Sequence, residues 1–463
     1  MTRRFLASRV LLVLALAASA QGQPARGPLR VLDRNPRYFT DGSGRAILLT
    51  GSHTWQNLQD SNLLMKHEGD PPPVFDYDQY LQLLTTHGHN FIRLWRWEAP
   101  KWSRSGEVKS CEPHPWMRTG PGNAADGKPK FDLTRFNQAY FDRLRDRTAK
   151  AGQRGIYVAI MLFEGWEYQF TDAWTYHPFR SANNVNGIQG DDPNGRGLGY
   201  TMLRSDKAGV ATLEAQKAYV RKVIDTVNDL DNVLYEIANE THPSSTEWQY
   251  HMIRFIKDYE AAKPKQHPIG MTFQHAGGSN STLFHSPADW ISPKPAAGES
   301  YLEDPPAEFK GKVIVNDTDH LCGHTCGDGV WVWKSFLRGM HPILMEELLP
   351  SPTWQDSARK AMGQVQQFAR KVDLAAMTPQ PGLCGTQYCL ADAPNEYLVF
   401  QNGNKGQFSV NLMAAAGSFD VEWFDVNQGK SIRGTAVSGG ARRDFVTPFG
   451  GPAVLHLKRS GVN

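Results

Sequence analysis

From residue 46 to about 373, short apolar runs alternate with segments of helical spacing, and this alternation narrows the possible folds more than any other feature. The runs are "AILLTG", "NFIRLW", "IYVAIML", "NVLYEIA", "PIGMTF", "DWIS", "KVIVN" and "HPILM". Between them lie "YDQYLQLLTTHG", "NQAYFDRLRDRTAKAGQRG", "LEAQKAYVRKVIDTVNDL" and "TEWQYHMIRFIKDYEAAK", with "SPTWQDSARKAMGQVQQFARKVD" at the end. A strand buried on both faces reads as a continuous apolar run, and a helical crossover between such strands makes them parallel. Eight of them with crossovers predict an α/β fold, a (β/α)8 barrel over residues 28–378. The least regular connection is "QHAGGSNSTLFHSPA", between the fifth and sixth runs.

Beyond residue 379 the texture changes. "EYLVFQN", "QFSVNLM", "FDVEWFD" and "AVLHLK" alternate apolar and polar residues between Gly, Asn and Asp clusters, which predicts a small antiparallel β-sandwich over 379–463. Its aromatics Trp423 and Phe449 either bind polysaccharide or pack within the sheets, and packing is the expected role.

At the other end, a basic start (Arg3, Arg4, Arg9), an apolar stretch from Val10 to Ala18 and small residues at Ala18 and Ala20 read as a secretory signal peptide, residues 1–20. The expected location is secreted or periplasmic, with no membrane association of the mature form. Without those three arginines the formal charge falls from +3 to about 0, which leaves no electrostatic case for nucleic acid. Export permits disulfides, and the five cysteines suggest Cys322 with Cys326 and Cys384 with Cys389, leaving Cys111 odd.

In a (β/α)8 barrel the working residues stand at the carboxyl ends of the strands. Those positions here are polar and aromatic: His53 and Trp55; Arg93, Trp95 and Glu98; Glu164 and Trp166; Asn239 and Glu240; Gln274 and His275; Asn316, Asp317, Asp319 and His320; Glu346 and Glu347. Their gathering at one mouth points to a site. Hydrolysis of a glycosidic bond needs one carboxylic acid to protonate the leaving oxygen and a second carboxylate across the cleavage point. Strands four and seven face each other across such a barrel, so Glu240 and Asp317 form a sensible pair. Asn239 is placed to bond a sugar hydroxyl, and Arg93 to hold the second carboxylate ionised.

The "NE" that ends run four, with the Arg of "NFIRLW", resembles clan A glycoside hydrolases, the large (β/α)8 group that includes cellulases, mannanases and apiosidases. The opening "RYFTDGSGRAILLTGSHTW" and the closing "YCLADAPNEYLVF", "FDVEWFDVNQGK" and "FVTPFGGPAVLHLK" resemble bacterial barrels of this kind that carry a C-terminal β-sandwich often labelled collagen-binding. The resemblance spans nearly the whole chain after the leader. It implies Glu240 as acid/base, Asn239 as its sugar-binding neighbour and Arg93 as support for the nucleophile. The sequence departs from the pattern after strand seven, where "VIVNDTDH" has Asp317 in the place of a Glu. Asp319 is the alternative nucleophile.

The expected function is therefore hydrolysis of O-glycosidic bonds in a polysaccharide or oligosaccharide by a carboxylate pair, in the retaining mode. Glu240, Asp317 and Asp319 are the catalytic candidates. Asn239, Arg93, His53, Trp55, Trp95, Glu164, Trp166, His275, His320 and Glu346 are the substrate-binding ones. No cofactor or metal is expected; the partner is a carbohydrate, and the chain is expected to be a monomer. Two rival readings stand beside this one: a non-catalytic carbohydrate-binding or adhesion protein on a degenerate barrel, and a metal-dependent hydrolase using Asp317, Asp319 and His320.

Overall fold

The computed structural model describes residues 23–62, 72–104, 107–169, 172–191, 195–275, 277–308, 310–346, 353–403 and 406–461. Residues 1–22, which include the expected signal peptide (1–20), and Glu347 lie outside the described residues.

Eight parallel strands form the barrel: β1 Gly51–His53, β2 Phe91–Leu94, β3 Tyr157–Met161, β4 Val233–Glu236, β5 Ile269–Thr272, β6 Trp290–Ser292, β7 Val313–Asp317 and β8 His341–Met345. Their order around the sheet is β1-β8-β7-β6-β5-β4-β3-β2. The ring is drawn together between its two ends by the Phe91 N–H, which donates to the Thr50 carbonyl at 3.1 Å. Six strands fall within their predicted runs and β7 passes the end of "KVIVN" by one residue, but β1 begins only at the last residue of "AILLTG" and extends past it. The cause is local. Leu49 N–H donates to His341 Nδ1 at 2.8 Å and Thr50 N–H to Asn90 Oδ1 at 2.9 Å, so side chains take the groups that a ladder would have used.

The helices are amphipathic and cover the barrel. Helix α1 (Tyr77–Thr86) starts at Asp76, whose carboxylate accepts the Gln79 N–H. Helices α2 (Gln138–Gln153), α3 (Lys207–Val227) and α4 (Thr246–Ala261) follow, then the short α5 (Asn280–His285) and α6 (Thr318–Leu321). Helices α7 (Gly329–Leu337) and α8 (Asp356–Lys371) close the circuit. In α8 the buried Ala358, Ala361, Met362, Val365 and Phe368 recur at helical spacing.

Alternation decides what fills the barrel. Phe91, Leu234, Val313 and Val315 belong to its inner core. Side chains two residues on share a strand face, so Arg93, Glu236 and Asp317 stand on the same inward side, one layer higher. Below them Gly270 leaves room for the Trp290 indole, against which any Cβ at that position would collide.

The C-terminal strands form antiparallel sheets: β9 Thr378–Pro379, β10 Cys389–Asp392, β11 Glu396–Gln401, β12 Gln407–Asn411, β13 Ser418–Asp425, β14 Lys430–Arg433, β15 Val437–Ser438, β16 Arg442–Val446 and β17 Ala453–Arg459. One sheet runs β9-β10-β11-β17-β13-β14, with β15 beside β13; the other pairs β12 with β16. Trp423 is buried, with ring centres 6.1 Å from Phe408 and 6.3 Å from Phe445, and Phe449 packs on the same core, so neither offers an exposed platform. The larger sheet presses on the barrel, where Trp333 of α7 lies parallel to Phe400 at 6.4 Å and Phe368 of α8 meets Phe424 edge-on at 5.1 Å.

Cys322 and Cys326 form the expected disulfide, and Cys111 is a buried thiol. Cys384 and Cys389 differ from expectation in being free buried thiols. Cys389 opens β10, Cys384 is bridged to Val410, and the two sulfurs meet through a hydrogen bond that lowers the Cys384 thiol to about 7.

Candidate active site

The upper layer of the barrel is built around Arg93. Its Nε and Nη2 donate to the two oxygens of Glu236, both at 2.7 Å. Nη1 donates to Asp317 at 2.8 Å and to Asp319 at 2.7 Å, and Nη2 also donates to Asn239 Oδ1 at 2.7 Å. A guanidinium has five N–H donors, and all five are used. The Trp95 ring lies 5.0 Å from its central carbon. Arg93 is thus a fixed, saturated counter-ion for three carboxylates, buried where an unpaired charge would be prohibitive.

Asp317 is locked into this layer. The Trp95 indole N–H donates to His53 Nδ1 at 2.7 Å, so the His53 proton sits on Nε2 and is shared with Asp317 at 3.0 and 3.1 Å. Asp317 also accepts the Asp319 N–H at 3.0 Å, capping α6. Burial alone would raise its carboxyl, but His53 and Arg93 outweigh burial and hold it below the usual carboxylate range. Its side chain is 0 % exposed, whereas that of Asp319, in the first turn of α6, is 8 % exposed and carries one oxygen on Arg93. Of the two strand-seven aspartates, only Asp319 reaches the mouth. Asp317 was expected to face Glu240; the strand continues to Asp317 and turns that side chain into the barrel, onto Arg93 and His53.

Glu240 differs from every other carboxylate of the layer. The side chains of Glu236, Asp317, Asp319, Glu164 and Glu346 are all bonded, whereas the half-buried Glu240 carboxyl has no hydrogen-bond or ionic partner among the described residues. Its backbone sits at φ 43°, the left-handed region that a non-glycine residue occupies only when its surroundings enforce it. Burial pushes its carboxyl well above the ordinary value; Asp319 and Glu164 add repulsion, and Lys294 and Arg93 offset part of it.

Asn239 is oriented from both ends. Its Oδ1 accepts from Arg93, with His320 Nε2 at 3.4 Å, and its Nδ2 donates to Glu164 at 3.1 Å. Glu164 also accepts the Trp166 and Glu167 N–H groups at 2.9 and 2.8 Å, and burial still pushes it up to about 8. His320 Nδ1 is bonded to Ser292 at 2.7 Å.

Several predicted substrate contacts are bonded within the protein. His53, Trp95 and Glu164 are buried and fully engaged with protein. Glu346 turns to Arg359 of α8, which holds one of its oxygens from two nitrogens, so it ties a strand to a helix and does not face the mouth. Trp55 is buried, 5.3 Å from Trp166 and 6.1 Å from His324. The half-buried Trp166 and His275 reach the surface of the site. Two residues escaped the sequence reading. Glu236 hides inside "NVLYEIA", where a charged residue at the inward parity was the available signal. Lys294, after β6, carries no motif.

Asp317, Asp319 and His320 have potential ligand atoms within 4.8 Å of one another, the one such group among the described residues. Both carboxylates are already bonded to Arg93, and His320 to Ser292, so a guanidinium stands where a metal would have to bind and the set does not fit one.

A family described as "Domain of unknown function (DUF6298)" matches residues 92–276. No curated protein matches the chain. Among solved structures, a glycoside hydrolase family 5 protein from Bacteroides vulgatus is 12 % identical with a TM-score of 0.60, covering 96 % of each chain. A glycoside hydrolase assigned from the same organism is 14 % identical with a TM-score of 0.62, over 94 % of this chain and 83 % of that one. A third, titled "Glycoside hydrolase", is 12 % identical with a TM-score of 0.59, over 94 % and 98 %. Over nearly its whole length the chain shares the fold of these glycoside hydrolases.

Proposed function

We propose that this chain is an exported glycoside hydrolase in which Glu240 is the general acid and Asp319 the opposing carboxylate. The observation that carries the reading is the Glu240 carboxyl: unpartnered, on a strained backbone, and raised toward the protonated form beside a layer of ion-paired carboxylates. A general acid must hold its proton at working pH and release it to the leaving oxygen. Glu240 is suited to both. As the glycosidic bond breaks, the Glu240 proton passes to the leaving oxygen and the Asp319 carboxylate attacks the sugar carbon; water then attacks that carbon, gives its proton to Glu240, now the base, and releases Asp319 as the free carboxylate. Asn239, fixed between Arg93 and Glu164, presents its amide to a hydroxyl of the same sugar. The fold shared with solved glycoside hydrolases supports the reaction class.

The experiment compares Asp319→Ala with Asp317→Ala on a polysaccharide panel. Loss of turnover in both is expected, but only Asp319→Ala keeps the native melting temperature within a few degrees and regains activity with azide, giving a glycosyl azide of inverted configuration. Azide rescue confined to Asp317→Ala contradicts the assignment. Sugar binding without turnover by the unaltered chain contradicts the enzyme reading.

A further inference from the structure

We propose that Lys294 and His275 form a subsite for an anionic group on the substrate, a uronate carboxylate or a sulfate ester, beside Glu240; this rests on the glycosidase reading above. Lys294 follows β6 and is exposed. Its backbone is pinned by Asn280, which accepts the Lys294 N–H at 3.2 Å and donates to its carbonyl at 2.6 Å. Its ammonium lies 5.9 Å from the ring centre of Phe273, at the exit of β5. It has no carboxylate partner among the described residues. His275, two residues beyond Phe273, makes no hydrogen bond among the described residues either. The imidazole is held toward its neutral form by burial and by the charges of Lys294 and His242, so it keeps one donor and one acceptor open.

The charge balance of the site singles out this corner. Arg93 has no donor left, and its charge is spent on three carboxylates. Lys294 is a cation within electrostatic reach of Glu240 that has no ionic partner among the described residues. An ammonium there favours the ionised form of the acid, which opposes the acid's function. A substrate anion seated on Lys294 removes that opposition and restores the hold of Glu240 on its proton. The open donors of Lys294 and His275 then serve recognition, since charge-assisted bonds are the stronger kind.

The test uses the full chain with uronate-bearing oligosaccharides, each beside its carboxyl-reduced counterpart, and a matched sulfate ester, measuring calorimetric binding and kcat/KM. The anionic member of a pair is expected to be favoured by about tenfold or more. In Lys294→Gln that ratio falls toward one, whereas Lys294→Arg retains it. The relative strength of the carboxylate and sulfate arms identifies the anion. The alkaline limb of kcat is expected to lie higher for anionic than for neutral substrates, and only when Lys294 is present. Equal use of both members, or a ratio unmoved in Lys294→Gln, overturns the subsite while leaving the hydrolase standing. Selective binding that needs Lys294 but no turnover of any substrate overturns the hydrolase and leaves the subsite. Neither binding nor turnover overturns both.

Discussion

Glu240 and Glu164 are two carboxyl groups on adjoining strand ends, both raised by burial, but their surroundings differ. Glu164 accepts three N–H donors and orients Asn239, whereas the Glu240 carboxyl has no partner among the described residues. Both shifts make a prediction about stability. A carboxyl raised in the folded state binds its proton more tightly there than in the unfolded chain. Its contribution is complete below the unfolded value of 4.5 and is lost as pH rises through the folded one, about 8 for Glu164. The melting temperature should fall between about pH 4.5 and 8, and Glu164→Gln should flatten that fall even if it lowers the curve as a whole. An unchanged slope contradicts the buried, raised carboxyl. The sequence disclosed "NE" because two polar groups after an apolar run are conspicuous. It did not separate Asp317 from Asp319, because that distinction depends on how far β7 runs before α6 begins, and ends of elements are set by tertiary hydrogen bonds.

At the scale of elements, the upper layer is a strand-parity device. Positions two residues above Phe91, Leu234 and Val315 deliver Arg93, Glu236 and Asp317 to one plane, and the rest of the site hangs on Arg93. Lysine cannot reproduce five fixed donors. Arg93→Lys is expected to cost about 3–5 kcal/mol in denaturant unfolding, the range for breaking a buried charged network, and to abolish turnover. A loss below about 1 kcal/mol would mean that the network is not the support described. The parallel strands were legible because burial on both faces writes itself as apolar runs. Strand β1 was misplaced because side chains of Asn90 and His341 replace its ladder, which no local pattern announces.

Across the whole molecule, the C-terminal sheets act as a cover for the barrel. Trp333 and Phe368 on the last two helices meet Phe400 and Phe424, and Lys371 pairs with Glu422 beside them. Trp333→Ala is expected to destabilise by about 3–5 kcal/mol, the usual range for deleting a large core aromatic, with kcat/KM of the surviving folded protein unchanged. A selective loss of polysaccharide binding would instead give the sheets a direct role in recognition. Alternation in the sequence showed that these sheets exist. It could not show which aromatics they share with the barrel, because the same pattern serves a free surface and a packed one.

The central claim is that Glu240 donates the proton. It is tested most directly by the hydrolysis rate of Glu240→Gln on an unactivated glycoside, beside a glycoside of the same sugar with a good leaving group. Loss of about 1000-fold or more on the first and a much smaller loss on the second, with the fold intact, is the predicted result, within the reach of general acid catalysis. Turnover of the unactivated glycoside at the native rate would contradict it.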